Sequence, residues 1–158
     1  MSIDALQKLF GINHRALELN VKSLSHEESL IQPPRGGNCL NWVVGHVVAN
    51  RNFILGLVGE QPIWSEAEME PYKRGSAAMK DGSRAKKFDQ LVADFTRAQE
   101  RTRAGLRRLT DKDLDRKKGE KGDETVGDSL HFLQFHEAYH IGQTALLRRM
   151  AGKEGAIP

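Results

Sequence analysis

The segment that most constrains the fold is residues 39–58, which are apolar almost all round when drawn as a helix. They read CLNWVVGHVVANRNFILGLV. A helix of this kind is usually buried on several sides. No apolar run in the chain approaches the roughly 20 residues that cross a bilayer. The segment therefore predicts a central helix that other helices of the same chain must surround.

Three more segments show apolar residues at the three- and four-residue spacing of one helix face. They cover roughly residues 2–24, 84–109 and 125–150. Thr125 with Asp128 is a weaker form of the capping box, and Gly152 suits a C-terminal stop. No segment of comparable length alternates like a strand. Four such helices predict an all-α protein, a four-helix bundle formed by a single domain over residues 1–158.

Residues 59–85 form a long connection between the second and third predicted helices. Connections of this length are often functional, and an ordinary crossover carrying a short extra helix is an equally good interpretation. Trp64 and Tyr72 within it are candidate pocket residues, although a structural role is favoured for both.

His136 and His140 lie four residues apart in the fourth predicted helix, so their side chains share one face. That face also carries Leu133, Gln143 and Leu147, which indicates that it points into the core. Two buried imidazoles without partners are costly. As neutral ligands of one metal ion, both are satisfied.

His46 lies in the middle of the most apolar helix, among Trp42, Ala49 and Phe53. Taken alone, it is better interpreted as a core histidine bonded to a backbone carbonyl or to Asn50. Together with the pair it makes a possible three-imidazole site with an open fourth position, as in catalytic zinc centres. Imidazole also suits nickel, copper and iron, so the ligand type does not fix the metal.

The other candidates are weaker. His131 is rotated off the ligand face, and His26 lies in a polar turn. His14 lies beside the apolar stripe of the first helix, where an exposed position is favoured over one that lines a pocket. Cys39 shares the face of His46, but two helical turns separate them by about 10 Å, so a buried apolar role is expected.

The run HEAYH matches His-Glu-x-x-His, the helix motif of many zinc proteases. Only 18 residues follow His140, and they contain no further histidine. A protease is therefore disfavoured. Glu137 is interpreted as part of an interhelix salt bridge, or as an acceptor for the N–H of a metal-bound imidazole.

Four segments carry a family resemblance: NWVVGHVVANRN, HFLQFHEAYHIGQTALLRRMAG, LSHEESLIQPP and LTDKDLDR. With them the chain resembles the DinB-like superfamily of metalloenzymes, which includes YfiT-type proteins and thiol-dependent transferases. The most specific part is His-x-x-x-His-x-Gly-Gln. The likeness covers almost the whole chain.

The resemblance implies an up-down-down-up four-helix bundle with a long crossover between its second and third helices. It implies a metal triad of His46, His136 and His140, with zinc or nickel favoured and iron or manganese possible. Many members of the family are homodimers, and some transfer low-molecular-weight thiols. The family name does not imply binding to DNA.

The reaction expected from these features is activation of a thiol by a divalent metal, followed by attack on a small electrophile. A hydrolase with metal-activated water and a non-catalytic metal or stress-ligand binder are the alternatives. Gln143 and Glu137 are the catalytic candidates. The pocket candidates are Trp42, Asn50, Tyr139 and Gln143.

The net charge of +3 comes from interleaved acids and bases, so no nucleic-acid partner is expected. Residues 1–20 lack the features of a signal peptide. Cys39 is the single cysteine and has no partner for an internal disulfide. A cytoplasmic protein without a membrane partner is expected.

Overall fold

The computed structural model describes residues 2–79, 82–119 and 122–157. Over these ranges the regular elements are helices, with one isolated bridge between Lys117 and Thr125. The helices are α1 (Ile3–Val21), α2 (His26–Ser29), α3 (Leu40–Leu57), α4 (Glu66–Met69), α5 (Phe88–Leu106), α6 (Asp111–Leu114) and α7 (Val126–Met150), with a 3-10 helix at Glu70–Tyr72. The prediction of an all-α helical bundle is confirmed, and α1, α3, α5 and α7 are its long helices.

Contacts along the helices show how α1 and α7 are oriented. The side-chain amide of Asn13 donates to the carbonyl of Gln134, and that of Asn20 donates to the carbonyl of Ile141. A step of seven residues along α1, from Asn13 to Asn20, corresponds to a step of seven residues in the same sense along α7, from Gln134 to Ile141. α1 and α7 therefore run in the same direction.

A second pair of contacts orients α3 and α5. Arg51 donates to Gln99, and Val58 packs against Gly105. These helices also run side by side in one direction. An up-down-down-up bundle requires such a pairing of its two outer and its two inner helices.

The central position of α3 follows from its apolar sequence. Fourteen of its 18 residues are buried. One core cluster surrounds its first half and includes Val44 and Phe95, while another surrounds its end and includes Ile54 and Leu130. Cys39, which precedes the helix, is buried as expected.

Several helix ends differ by a few residues from the predicted bounds. α1 ends at Val21, because Ser23 adopts a left-handed conformation with φ of 62°. α7 begins as predicted. The Thr125 hydroxyl accepts from the backbone of Asp128, the Asp128 carboxylate accepts from that of Thr125, and both distances are 3.0 Å.

The connection between α3 and α5 packs over α3. A Cβ atom added to Gly45 would lie 2.2 Å from the ring of Tyr72, so the glycine is what lets this ring rest on the helix. Trp64 is buried and donates to Asp94 at 2.7 Å, which fits a structural role. The connection thus places Tyr72 beside the middle of α3. No helix in the described part of the chain is long and apolar enough to span a bilayer.

Candidate metal centre

Three histidines from two helices converge on one point. One ring nitrogen from each of His46, His136 and His140 lies within 4.8 Å of the others. The Nε2 atoms of His136 and His140 are 3.1 Å apart. The ring of His46 is centred 4.7 Å from that of His140 and 5.3 Å from that of His136. α3 therefore brings its histidine to the pair on α7.

Hydrogen bonds to the outer ring nitrogens orient two of the imidazoles. His46 Nδ1 donates to the carbonyl oxygen of Tyr72 at 2.7 Å, and His140 Nδ1 donates to Gln143 Oε1 at 2.9 Å. Both rings therefore keep their Nε2 lone pairs for the centre. Metal-binding histidines commonly donate their other N–H in this way.

The carbonyl of Tyr72 is a functional group that the sequence did not reveal. The sequence points to Tyr72 only as a possible pocket side chain, whereas its backbone oxygen is what holds His46. A backbone carbonyl 26 positions along the chain from His46 leaves no signal in the side-chain pattern.

Burial keeps the triad neutral. Burial, helped by the neighbouring His140 and His136 and opposed by the hydrogen bond to the Tyr72 carbonyl, lowers the pKa of His46 to about 4. Burial also lowers the pKa of His136 and of His140. Neutral imidazole is the form that ligates metals.

The spacing of the donors fits a divalent ion. Two imidazole nitrogens bound tetrahedrally at 2.0–2.1 Å lie about 3.3 Å from each other. His136 and His140 approach this separation. Since two lone pairs at this distance repel, one nitrogen carries a proton unless a cation lies between them. The three-nitrogen donor set suits zinc, nickel, copper or iron.

His46 also makes both hydrogen bonds expected of an ordinary core histidine, one to a backbone carbonyl and one with Asn50. Besides the Tyr72 carbonyl, the side-chain amide of Asn50 lies 3.1 Å from His46 Nε2 and donates to the His46 carbonyl at 2.8 Å. These bonds satisfy His46 but do not account for the convergence of His136 and His140. A metal ion bound to His46 Nε2 has to displace the Asn50 amide.

Two cavities adjoin the triad. One of about 360 Å³ lies beside His140 and is lined by the predicted pocket residues Trp42, Tyr139 and Gln143. The other, of about 310 Å³, lies beside His46 and is lined by the fourth, Asn50. The site is therefore open to small molecules from two directions.

Trp42 and Gln143 line the cavity and also contact the histidines of the triad. The indole of Trp42 stacks on the His46 ring with centroids 4.7 Å apart, and its N–H donates to Ser76 at 2.8 Å. Gln143 accepts from His140. Tyr139 is more exposed and meets the His140 ring edge-on.

Glu137, the second catalytic candidate, points away from the triad. Its two carboxylate oxygens accept from Arg51 Nε and Nη2 at 2.5 and 2.7 Å. This is the interhelix salt bridge that was one interpretation of the HEAYH motif.

The remaining histidines lie outside the triad. His131 is exposed on α7, and His26 begins α2. His14 is less exposed than expected: its side chain is 18% exposed, because the ring packs on Phe95 with centroids 5.4 Å apart.

Comparison with protein families places the site in a known context. The family model described as the DinB superfamily matches residues 11–144, which include all three histidines. No curated protein matches the chain.

Proposed function

Because the chain belongs to the DinB superfamily and brings three histidines together, we propose that it is a metal-dependent transferase for low-molecular-weight thiols. The observation that carries the proposal is the convergence of three neutral imidazoles beside two cavities. Three ligands leave one position open, as in catalytic rather than structural centres.

A divalent ion held by His46, His136 and His140 would favour the thiolate form of a bound thiol. The protein's own groups orient the rings. Tyr72 accepts a hydrogen bond from His46, Gln143 accepts one from His140, and the indole of Trp42 stacks on the His46 ring. In the transfer, a sulfur–carbon bond forms on the electrophile and the leaving group departs with its electron pair. The thiol proton passes to solvent.

The cavity beside His140 suits the electrophile. Its lining includes apolar side chains of both α3 and α7, among them Trp42, Val43 and Leu147. A small molecule with an apolar body would fit there beside His140, one of the three residues that would hold the metal.

Hydrolysis by metal-activated water is the second candidate, and the structure gives it less support. Glu137 is the acid next to His136, yet Arg51 holds both of its oxygens. It is therefore not free to act as a general base. A non-catalytic binder is disfavoured by the two cavities, because a storage site is better served by a closed centre.

The test is consumption of thiol. Protein loaded with zinc or nickel is incubated with a panel of small thiols and an activated aryl chloride, with metal-free protein as the control. We expect metal-dependent thioether formation that His140→Ala abolishes and His131→Ala retains. Metal-dependent release of chloride without loss of thiol would indicate hydrolysis, and no turnover with any thiol would favour the binder.

A further inference from the structure

The chain contains a buried ion pair that the proposed reaction does not use. Arg51 is 0% exposed and Glu137 is 2% exposed. The guanidinium donates to both oxygens of the carboxylate and, through Nη1, to Gln99 at 2.8 Å. The rings of Phe10 and Phe95 lie 4.7 and 5.2 Å from its central carbon.

These contacts join all four long helices at one point. Arg51 belongs to α3 and Glu137 to α7, while Phe10 comes from α1, and Phe95 and Gln99 come from α5. A two-pronged contact between guanidinium and carboxylate is specific in direction as well as distance. A slip of one residue moves a helix by about 1.5 Å along its axis, which would break the contact and leave charges buried without partners.

The pair also lies next to the metal triad in sequence. Glu137 directly follows His136, and Arg51 directly follows Asn50, whose amide contacts His46. Any slip between α3 and α7 at the ion pair would therefore also move His46 relative to the other two histidines.

We infer that Arg51 and Glu137 are positioning residues that set the register of α3 against α7 at which the three imidazoles meet. The inference rests on the proposed metal site. A buried ion pair is in general a weak source of stability, and apolar replacement of both partners is often neutral or stabilising. What the pair contributes here is geometry.

The experiment replaces both partners together, so that no charge is left buried alone. Cobalt(II) is the probe, because its visible absorption reports the coordination geometry. The first variant is Arg51→Met/Glu137→Leu. The second is Arg51→Lys, which keeps a positive charge opposite Glu137 but cannot donate two parallel hydrogen bonds to its carboxylate. The matched control is Ile54→Val, which loses core packing on the same helix.

We expect both ion-pair variants to lose cobalt affinity by at least about tenfold, the range seen when groups that orient metal ligands are removed. Their absorption bands should shift, while the double variant unfolds at a urea concentration similar to wild type. Ile54→Val should be less stable but keep the wild-type affinity and spectrum.

Wild-type affinity and spectrum in an ion-pair variant that folds would overturn the inference, as would an equal loss of affinity in Ile54→Val. If wild type itself binds no cobalt, or if His140→Ala binds it equally well, the proposed metal site fails instead. The two failures are thus distinguishable.

Discussion

At the scale of single residues, Asn50 and Gln143 act on the triad in opposite ways. Asn50 donates toward His46 Nε2, the nitrogen that a metal needs, whereas Gln143 accepts from His140 Nδ1 and leaves Nε2 free. The two side chains look equivalent in the sequence, since each is an amide within one helical turn of a histidine. Their effects differ because the amides meet different ring nitrogens.

Replacing Asn50 with alanine is expected to raise metal affinity about fivefold, since an intramolecular hydrogen bond contributes about 1 kcal/mol that the metal no longer has to offset. Gln143→Ala should lower the affinity, because His140 loses the acceptor that orients it. Competition with a chromophoric chelator measures both. Equal affinity in the two variants would contradict this account.

The triad also predicts how acid affects the metal-free protein. Burial lowers the pKa of His46 to about 4, while the unfolded chain titrates near 6.5. The unfolded state therefore binds the proton first, and stability present above pH 6.5 is lost as the pH falls toward 4. Burial also lowers the pKa of His136 and of His140, so both add to this loss of stability in acid.

Urea unfolding between pH 7 and 4.5 should show this loss in wild type and in His131→Leu, which changes an exposed residue. His46→Leu should show a shallower dependence over the same range. A pH profile identical in His46→Leu and wild type would count against the buried, neutral imidazole.

The sequence predicted the three histidines but only part of what surrounds them. Spacing placed His136 and His140 on one face, and the position of His46 on the most apolar helix made it a possible third ligand. The family resemblance then made the triad specific. The partner of Glu137 was not predicted, because Arg51 lies 86 positions away and on a different helix. Local spacing gives the face of a helix but not what the neighbouring helix brings to it.

At the scale of elements, the bundle was predictable because helical periodicity is repeated over many residues. The path of the 59–85 connection could not be predicted in the same way, because it depends on contacts with α3. Gly45 shows this: its role becomes visible only when the ring of Tyr72 is found against it. Gly142 on α7, by contrast, faces open space.

The two glycines give a matched pair of tests. Gly45→Ala should destabilise the protein by about 1–3 kcal/mol through overpacking against Tyr72, and it should weaken metal binding by moving the carbonyl that holds His46. Gly142→Ala should stabilise by up to about 1 kcal/mol, since alanine favours the helix. Urea unfolding checks both, and a neutral Gly45→Ala would contradict the packing.

At the scale of the whole molecule, α7 carries two of the three candidate ligands, His136 and His140, and also an exposed apolar face. Phe135, Tyr139 and Leu146 on this helix are 61%, 59% and 63% exposed. Exposed apolar surface of this kind marks interaction sites. The homodimer expected from the family resemblance stays a prediction. We propose this face of α7 as the surface through which two copies would pack.

Light scattering tests the proposed dimer. Leu146→Glu should convert a dimer of the wild type to a monomer, because it would place a charge in the apolar contact that the dimer buries. Ile12→Glu changes an equally exposed residue on α1 and should leave the dimer intact. A monomeric wild type would contradict the proposal.

The most direct test of the metal centre is elemental analysis of purified protein. Wild type and His131→Ala should each contain about one divalent ion per chain, while His46→Ala, His136→Ala and His140→Ala should each lose it, because three ligands are needed to hold the ion. His131 lies on the same helix as two of the ligands but is exposed, so it controls for loss of a histidine as such. Equal metal content in all five proteins would contradict the three-histidine centre.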